Sequence, residues 1–194
     1  MSSEFEKYRA SRVERLLKHI EDSLVDEGLV GWLLRINEFR CLVTTSSCSG
    51  RITLHEGSNP LDKRLSRIIY SWHDPASFVR EICGEKSEAL IKVDGVLVRW
   101  FSLQPPIIHL VTPSLDIARG MIQLAIENGM RRSCIRPSRH GWLVEVKAGD
   151  KSIYYVGDTL DCSFMERLAG ILSEYKKRMF MWMGKTVSFL ADEC

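Results

Sequence analysis

The stretch at residues 44–51 reads Thr-Thr-Ser-Ser-Cys-Ser-Gly-Arg and contains five hydroxyl side chains, one thiol, one glycine and one guanidinium. A pattern typical of helices precedes it, and a strand-like pattern follows it. Because no apolar residue balances these polar groups, we expect a solvated turn or a loop that holds a polar ligand. The glycine lets the backbone approach such a ligand closely, and the hydroxyls and Arg51 supply directional hydrogen bonds.

The composition indicates a globular protein, because 45% of the 194 residues are apolar. The formal charge of +2 is too small for a strongly basic nucleic-acid binder, so any such surface must be a local patch. Six cysteines without a CxxC motif favour reduced thiols in the cytoplasm over a zinc cassette or a dense disulfide framework. The charged N-terminus and the lack of a long apolar run predict neither a secretory signal nor a membrane span.

The apolar pattern of the N-terminal half predicts two helices followed by strands. Helical spacing runs over residues 5–24 behind a capping box formed by Ser3 and Glu6, and again over about 26–38. Short strands are predicted on either side of the polar stretch, at 41–43 and 52–54. A polar excursion over 56–66 then leads to a further short strand.

The C-terminal half predicts hairpins and two more helices. Hairpin turns are expected at 94–95 and 149–150, and a buried strand is expected at 107–111. A helix capped by Ser114 should end at Gly129, which occupies the position of a C′ glycine. A last long helix begins near residue 163.

These elements predict an α+β fold in which mixed sheets pack against helices. The two halves are weakly similar in the order of their predicted elements, which is compatible with a duplicated helix-plus-hairpin unit. A regular βαβ rhythm and a GxGxxG motif are missing, and their absence argues against a Rossmann-type nucleotide domain. We expect a single domain over residues 1–194, with 160–194 as a C-terminal helical extension.

The serines and Arg51 of the polar stretch are candidate ligand contacts. Ser46, Ser47 and Ser49 could bind a phosphate, a carboxylate or the polar edge of a base, although a hydrophilic loop that caps its own backbone would look similar. Arg51 suits a bidentate clamp on a phosphate or carboxylate. Its alternative role is that of a solvated strand residue.

Cys48 is the candidate nucleophile of the stretch, since a thiolate needs only a lowered pKa and a nearby base. Arg51 follows it too closely to close the phosphate loop of a cysteine phosphatase, and no GxSxG elbow is present. A small packing residue is therefore the better interpretation of Cys48. A Ser/Cys hydrolase stays as a minor alternative.

Two histidines are candidate bases because imidazole titrates near neutral pH. His73 stands before Asp-Pro at a predicted strand end, where functional sites are often built, although it could instead help Asp74 to cap the next helix. His109 lies in an apolar strand. A histidine there is more often a hydrogen-bonded core residue than a functional one.

The densest basic segment covers residues 131–140, where four arginines and one histidine fall just before Trp142. Arginines beside an aromatic residue suit RNA phosphates and base stacking, whereas a charged solvent face is the alternative. If this segment is a strand, Arg131 and Ser133 share one of its faces.

Four blocks of the chain resemble, in order and spacing, the tRNA wybutosine-synthesising protein 3 family. The blocks are Ser-Ser-Cys-Ser-Gly-Arg-Ile at 46–52, Trp-His at 72–73, Pro-Pro-Ile-Ile-His-Leu at 105–110 and Gly-Met-Arg-Arg-Ser at 129–133. Asp26 and Asn37 also fall where the first block of the family places an acidic residue and an asparagine. The chain departs from the family at Gln104, at Met130, and at Cys134, which stands in place of a glycine.

The resemblance implies a methyltransferase that uses S-adenosyl-L-methionine. Its substrate would be a wyosine precursor at position 37 of phenylalanine tRNA, and the methyl group would go to the N(4) ring nitrogen. The expected partner is therefore the anticodon loop of that tRNA, with no metal, no membrane and no stable protein partner. No familiar motif for this cofactor occurs in the chain, so a non-catalytic tRNA-binding module of the same pathway is the alternative.

The hypothesis distributes roles over the residues named above. His73 or His109 would act as the base that removes a proton from the ring nitrogen. The cofactor contacts would be Ser46, Ser47, Ser49, Gly50 and Arg51. The substrate contacts would be Trp72, Arg131 and Ser133, with an aromatic ring available to stack on the unpaired base.

Overall fold

The computed structural model describes residues 3–59, 62–84, 98–156 and 161–194. Five α-helices lie within these ranges, and they are α1 (Ser3–Glu21), α2 (Glu27–Ile36), α3 (Pro75–Ile82), α4 (Leu115–Glu127) and α5 (Cys162–Glu193). The same ranges contain eight strands, and they are β1 (Val43–Cys48), β2 (Arg51–Gly57), β3 (Ser66–Trp72), β4 (Val98–Gln104), β5 (Ile107–Thr112), β6 (Cys134–Ser138), β7 (Gly141–Lys147) and β8 (Ser152–Tyr155).

The chain separates into two compact units. The first comprises Met1–Ser49, Pro106–Gly149 and Lys177–Cys194, and the second comprises Gly50–Pro105 and Asp150–Lys176. Each unit contains one four-stranded sheet, in the order β1-β5-β7-β6 in the first and β3-β2-β4-β8 in the second. The single domain expected over the whole chain, with a C-terminal helical extension, stays a prediction.

The α+β class is confirmed, and neither sheet has the parallel order of a Rossmann domain. All pairs between the strands described are antiparallel, where the sequence allowed mixed sheets. Helices α1 and α4 form where apolar spacing and caps predicted them. The hydroxyl of Ser114 accepts from the Ile117 amide, and Gly129 follows α4 with a φ of +79°.

Apolar residues of helices and strands form the core of the first unit. Phe5 of α1 is buried with Val43 and Val111 of the sheet. Trp182 of α5 is fully buried, and its Nε1 donates to the Met121 carbonyl at 3.1 Å. The C-terminal half of α5 is therefore a core element. Although α5 has 32 residues, no helix in the described ranges has enough apolar length to cross a bilayer.

The core of the second unit lies where α3 and the N-terminal half of α5 cover the sheet. Phe78 and Ile82 of α3 are fully buried with Leu168 and Leu172 of α5. Helix α3 begins where it does because Asp74 accepts hydrogen bonds from the first free amides of the helix, those of residues 76 and 77.

The polar stretch at 44–51 is a strand for most of its length, which corrects the expected loop. Residues 44–48 belong to β1 and pair with β5 at every position except Thr45, and the Thr44 amide donates to the Asn37 side chain, so polar side chains do not force a loop. Thr44 and Ser49 are even buried, with 6% exposure each. Only Ser49 and Gly50 separate β1 from β2, and Gly50 makes this turn with a φ of +82°.

The hairpin expected at 149–150 is also wrong. Strand β7 pairs with β5 and β6, whereas β8 pairs with β4 in the other sheet. The chain passes from the first unit to the second after Gly149, so strands that are neighbours in sequence belong to different sheets. The hairpin expected at 94–95 has its turn outside the described residues.

Two disulfides join four of the six cysteines, which corrects the expectation of reduced thiols. Cys41 is bonded to Cys194 and Cys83 to Cys162, with Cα–Cα distances of 5.9 and 5.7 Å. The partners are 153 and 79 residues apart in sequence. Such separations leave no local spacing signal, and for this reason the sequence did not reveal them.

Candidate active site

A chain of three hydrogen-bonded side chains crosses the sheet of the first unit. The Ser46 hydroxyl lies 2.6 Å from Nδ1 of His109, and Nε2 of His109 lies 2.9 Å from Oε2 of Glu145. The strand register produces this arrangement, because His109 of β5 pairs with Ser46 of β1 on one side and with Glu145 of β7 on the other. The imidazole is thus held at both nitrogens and has one orientation.

The partners of the imidazole determine its tautomer. A carboxylate only accepts hydrogen bonds, so the ring proton is assigned to Nε2, which faces Glu145. Nδ1 then carries a lone pair and accepts from the Ser46 hydroxyl. The side chains of His109 and Glu145 keep 23% and 18% exposure, and Ser46 is exposed. The site therefore presents a hydroxyl backed by a free imidazole lone pair.

Glu145 is ionised at neutral pH. The hydrogen bond from His109 lowers the pKa of this carboxyl below its ordinary value, against the opposing effect of burial, and Arg136 at 3.5 Å lowers it further. Since the folded-state pKa is below the unfolded one, this carboxylate stabilises the fold above its unfolded pKa. That contribution is lost as the pH falls through the folded-state value.

The sequence indicated His109 as a candidate base and Ser46 as a candidate cofactor contact, but it did not indicate Glu145. The glutamate lies within a predicted strand, and no motif around it distinguishes it from a solvated strand residue. Only its register opposite His109 shows its role. Cys134, which stands in place of the family glycine, pairs with Glu145 from the other side, and its hydrogen bond is the main reason for the raised pKa of Arg136.

Asp26 and Asn37 hold the polar stretch from outside. Asp26 is the N-cap residue of α2 but makes no capping bond there, and its carboxylate instead accepts from the Ser49 amide at 2.6 Å. The Asn37 side chain accepts from the Thr44 amide at 3.0 Å, and it donates to Thr44 Oγ1 and to the Leu33 carbonyl, both at 2.7 Å. These two side chains therefore fix the turn at one end of β1 and the start of the strand at the other.

Replacing Asn37 with alanine should destabilise the protein by about 1–3 kcal/mol for each buried group left unpaired, the Thr44 amide first. Urea unfolding measures this loss. Asn128→Ala is the matched control, because the side chain of Asn128 makes one bond of the same kind, to the Leu124 carbonyl at 2.7 Å, and no bond to a strand. Equal losses for the two variants would show that Asn37 only bonds within its own helix.

Arg51 begins a second polar chain, in the second unit. Its Nε donates to Gln104 Oε1 at 2.9 Å, and Gln104 lies 3.4 Å from the Thr53 hydroxyl, which is 2.8 Å from Nε2 of His55. Burial lowers the pKa of His55, with smaller effects from Lys151 and Arg51. Gln104, a departure from the family pattern, therefore orients the guanidinium of Arg51.

The other candidates of the second unit have structural contacts. Trp72 is 6% exposed, its Nε1 donates to Glu81 at 3.1 Å, and its ring packs edge-on against Phe78. It therefore serves the core, and a stacking contact with a base stays a prediction. His73 lies half-buried in the turn between β3 and α3, and the Asp74 carboxylate accepts the capping bonds from the amides of residues 76 and 77.

The basic segment differs from its predicted form. Strand β6 begins only at Cys134, so Arg131 lies in an exposed turn, and the expected shared strand face with Ser133 is wrong. The hydroxyl of Ser133 accepts from the Lys147 amide at 3.1 Å. The register pairs Cys48 with Ile107 and pairs His109 with Ser46, so strand pairing does not place His109 opposite the thiol. The described residues contain no cluster of three metal-ligating side chains.

Two antiparallel sheets, with a histidine held between a hydroxyl and a carboxylate on one of them, define an α+β protein with a candidate acid–base site. The chain belongs to the family described as Methyltransferase TYW3, which matches residues 7–182. The resemblance seen in the four sequence blocks is thereby confirmed.

Similar proteins come from archaea. A Pyrococcus furiosus protein named tRNA(Phe) 7-((3-amino-3-carboxypropyl)-4-demethylwyosine(37)-N(4))-methyltransferase 2 is 35% identical over 131 residues, which are 68% of this chain and 61% of the relative. The chain thus matches about three fifths of the length of that relative. A Thermococcus kodakarensis protein has the same name with the number 1 in place of 2. It is 27% identical over 90% of this chain and 87% of its own length.

Solved structures with the same fold exist. The PH1069 protein from Pyrococcus horikoshii superposes with a TM-score of 0.79 at 24% identity, over 96% of this chain and 95% of its own. A hypothetical protein from Aeropyrum pernix has a TM-score of 0.66 at 25% identity, over 84% and 98% of the two chains. The similarity to the PH1069 protein, at 24% identity, shows a shared fold alone.

Proposed function

We propose that this protein is an S-adenosylmethionine-dependent tRNA methyltransferase. Its substrate is a wyosine precursor at position 37 of phenylalanine tRNA, and the methyl group goes to the N(4) ring nitrogen. Family membership and the names of the relatives support this assignment. The observation that carries it is the Ser46–His109–Glu145 chain, because methylation of a ring N–H requires removal of its proton.

The three side chains have distinct roles in the proton transfer. The exposed Ser46 hydroxyl accepts a hydrogen bond from the substrate N–H while it donates its own proton to Nδ1 of His109. As the ring nitrogen bonds to the methyl carbon, its proton passes to Ser46, and the proton of Ser46 passes to His109. The ionised Glu145 stabilises the imidazolium that forms. His73 is the second candidate base.

The cofactor, when bound, would supply an electrophilic methyl group on a sulfonium and would leave as the neutral thioether once its sulfur–methyl bond breaks. We assign its contacts to Ser47, Ser49, Gly50 and Arg51. For Ser46, the 2.6 Å distance between its hydroxyl and His109 supports a role in the proton relay in place of the expected cofactor contact. Among the described residues the terminal nitrogens of Arg51 have no partner, since only its Nε is bonded, to Gln104. Guanidinium and hydroxyl donors fit the carboxylate of the methionine moiety.

The anticodon loop of phenylalanine tRNA is the partner implied by this substrate, and we place the protein with it in the cytoplasm. Arg131, in its exposed turn, is positioned to contact RNA phosphate. Trp72 and Ser133 are engaged by Glu81 and by the Lys147 amide, so their substrate contacts rest on the family resemblance.

Nucleoside mass spectrometry tests the assignment. Phenylalanine tRNA carrying a demethylated wyosine precursor is incubated with the protein and S-adenosylmethionine, and a gain of one methyl group on the position-37 nucleoside is expected. Reactions without the cofactor and reactions with a tRNA that has unmodified guanosine at position 37 are the controls. No methyl gain with any wyosine precursor would refute the assignment.

The same materials address the non-catalytic alternative. A titration with S-adenosylmethionine, with and without tRNA, should show binding. If the protein binds the tRNA but neither binds the cofactor nor adds a methyl group, it is a tRNA-binding module.

A further inference from the structure

A cavity of about 200 Å³ lies in the first unit beside the acid–base chain. Helix α1, the segment that leads into α2, helix α2 and strand β1 form its walls, and the lining includes four apolar side chains, those of Leu16, Leu24, Val25 and Leu33. We call it the α1–β1 cavity. It touches residues 44–47 of the polar stretch, and Ser46 belongs both to its lining and to the chain that ends at Glu145.

Two arginines and one histidine lie on the helical wall of the cavity. Arg12, Arg15 and His19 are spaced by three and four residues, so they share one face of α1. Within the described part of the chain Arg15 makes no hydrogen bond or ion pair, and the guanidinium of Arg12 has only the ring of Tyr8, at 5.1 Å. The described residues that line the cavity include no aspartate or glutamate, so none of them neutralises the two arginines.

Hydroxyl groups form the opposite wall. A regular strand sends successive side chains to opposite faces. The register of β1 against β5 shifts between Thr44 and Ser46, and four consecutive residues, two threonines and two serines, line the cavity. The Thr45 hydroxyl is oriented by the His109 carbonyl at 3.4 Å. This irregularity places four hydroxyl groups opposite the guanidinium groups, and two of them, those of Thr45 and Ser46, donate to His109.

The lining and the size of the cavity together indicate the ligand. Guanidinium forks facing hydroxyl donors, without a carboxylate, are suited to a phosphate. The volume is below the range of about 300–1,000 Å³ that encloses a drug-sized ligand. The enclosed space is therefore closer in size to a single phosphodiester group than to a whole S-adenosylmethionine molecule.

We propose that the α1–β1 cavity binds a backbone phosphate of the RNA substrate, next to the nucleotide whose base reacts at Ser46. This inference rests on the proposed function, because it takes tRNA as the substrate. A phosphate held by Arg12 and Arg15, across the cavity from the hydroxyl groups of β1, anchors the RNA strand on one side of the Ser46–His109–Glu145 chain. Anchoring there aligns the reacting base with the relay and contributes to the rate through positioning.

Binding measurements with charge variants test the proposal. The double variant Arg12→Ala/Arg15→Ala should bind phenylalanine tRNA at least about tenfold more weakly, as expected for the loss of one phosphate contact by two charge-assisted donors. The slope of log affinity against log salt should fall by about 0.7 for a phosphate in a single-stranded loop. Fluorescence anisotropy of labelled tRNA at several salt concentrations measures both quantities.

The charge-matched control is Lys7→Ala/Lys18→Ala. Both lysines are exposed on α1 but neither lines the cavity, so this variant loses the same charge from the same helix. It should retain affinity to within about threefold, since long-range charge effects on RNA binding are screened by salt. Equal losses of tRNA affinity in the two double variants would mean that α1 acts only through its overall charge, and the phosphate site would be refuted.

Two further measurements distinguish the loss of a phosphate contact from misfolding and from a loss of cofactor binding. Arg15→Glu alters only an exposed side chain, so it should fold as the parental protein does and still lose tRNA affinity. The affinity for S-adenosylmethionine should be unchanged in every variant. A loss of cofactor affinity with intact tRNA affinity would assign the cavity to the cofactor carboxylate and overturn the proposal.

The outcome for the site is independent of the outcome for the activity. If the parental protein binds the tRNA through Arg12 and Arg15 but never methylates it, the proposed function fails and the phosphate site stands. If the parental protein methylates the tRNA and the arginine variants bind it like the control, the phosphate site fails and the proposed function stands.

Discussion

Replacing His109 with glutamine is expected to lower the rate of methyl transfer by about 10²–10⁴-fold, the contribution usual for general acid–base catalysis. Glutamine can donate to Glu145 and accept from Ser46, so the hydrogen-bond pattern of the site is retained. Glutamine cannot take up a proton, however, so the proton that leaves the substrate through Ser46 has no acceptor. Single-turnover rates at saturating tRNA and cofactor measure this effect directly.

Two companion variants make the result specific. Glu145→Gln removes the charge that stabilises the imidazolium but leaves the imidazole, so its rate should lie between those of the parental protein and His109→Gln. His73→Gln should methylate at the parental rate if His109 is the base. A loss in His73→Gln with a parental rate in His109→Gln would move the base to the second unit, and parental rates in both would exclude both histidines.

Reduction of the disulfides is expected to have the largest effect on stability. Each disulfide should contribute about 2–5 kcal/mol to the free energy of unfolding, because each restricts the unfolded chain. The Cys41–Cys194 bond encloses a separation of 153 residues and the Cys83–Cys162 bond one of 79. Because loop-closure entropy grows by about 0.6 kcal/mol per doubling of loop length, Cys41→Ser should cost more than Cys83→Ser by about that amount.

The two bonds hold opposite ends of the same helix. Cys162 is the first residue of α5 and Cys194 follows its last residue, so reduction releases both ends of α5 from their respective units. Thermal and urea unfolding with and without dithiothreitol measures the effect, and Cys134→Ser, which alters a cysteine outside both bonds, is the control. Thiol titration that finds six free cysteines in the purified protein, or unfolding that is insensitive to dithiothreitol, would contradict this prediction.

Local signals in the sequence were reliable where the structure is stabilised locally. Helix α1 follows from apolar spacing, and the ends of α4 follow from the Ser114 hydroxyl and from Gly129, because each depends on residues within a few positions along the chain. The polar stretch was misjudged for the opposite reason. Its side chains resemble a loop, but the backbone of residues 44–48 is paired with β5, more than fifty positions away.

The candidate site shows the same division. The chemistry of Ser46, His109 and Arg51 could be read from residue types and from the resemblance to a family. Glu145 could not, since a glutamate in an alternating strand carries no mark of function until a partner strand brings it within 2.9 Å of the imidazole. The arginines of α1 likewise looked like an ordinary charged helix face, and only the fold opposes them to the hydroxyls of β1.

By itself, the sequence determined the family, the α+β class, the helices and two members of the acid–base chain, because these depend on residue type, short spacing and block order. Only the tertiary structure decided which strands pair, which cysteines join and which side chains complete the site. The physical reason is that these contacts link positions far apart along the chain. Their free energy depends on strand register and on chain closure, and neither leaves a mark in the local pattern of residues.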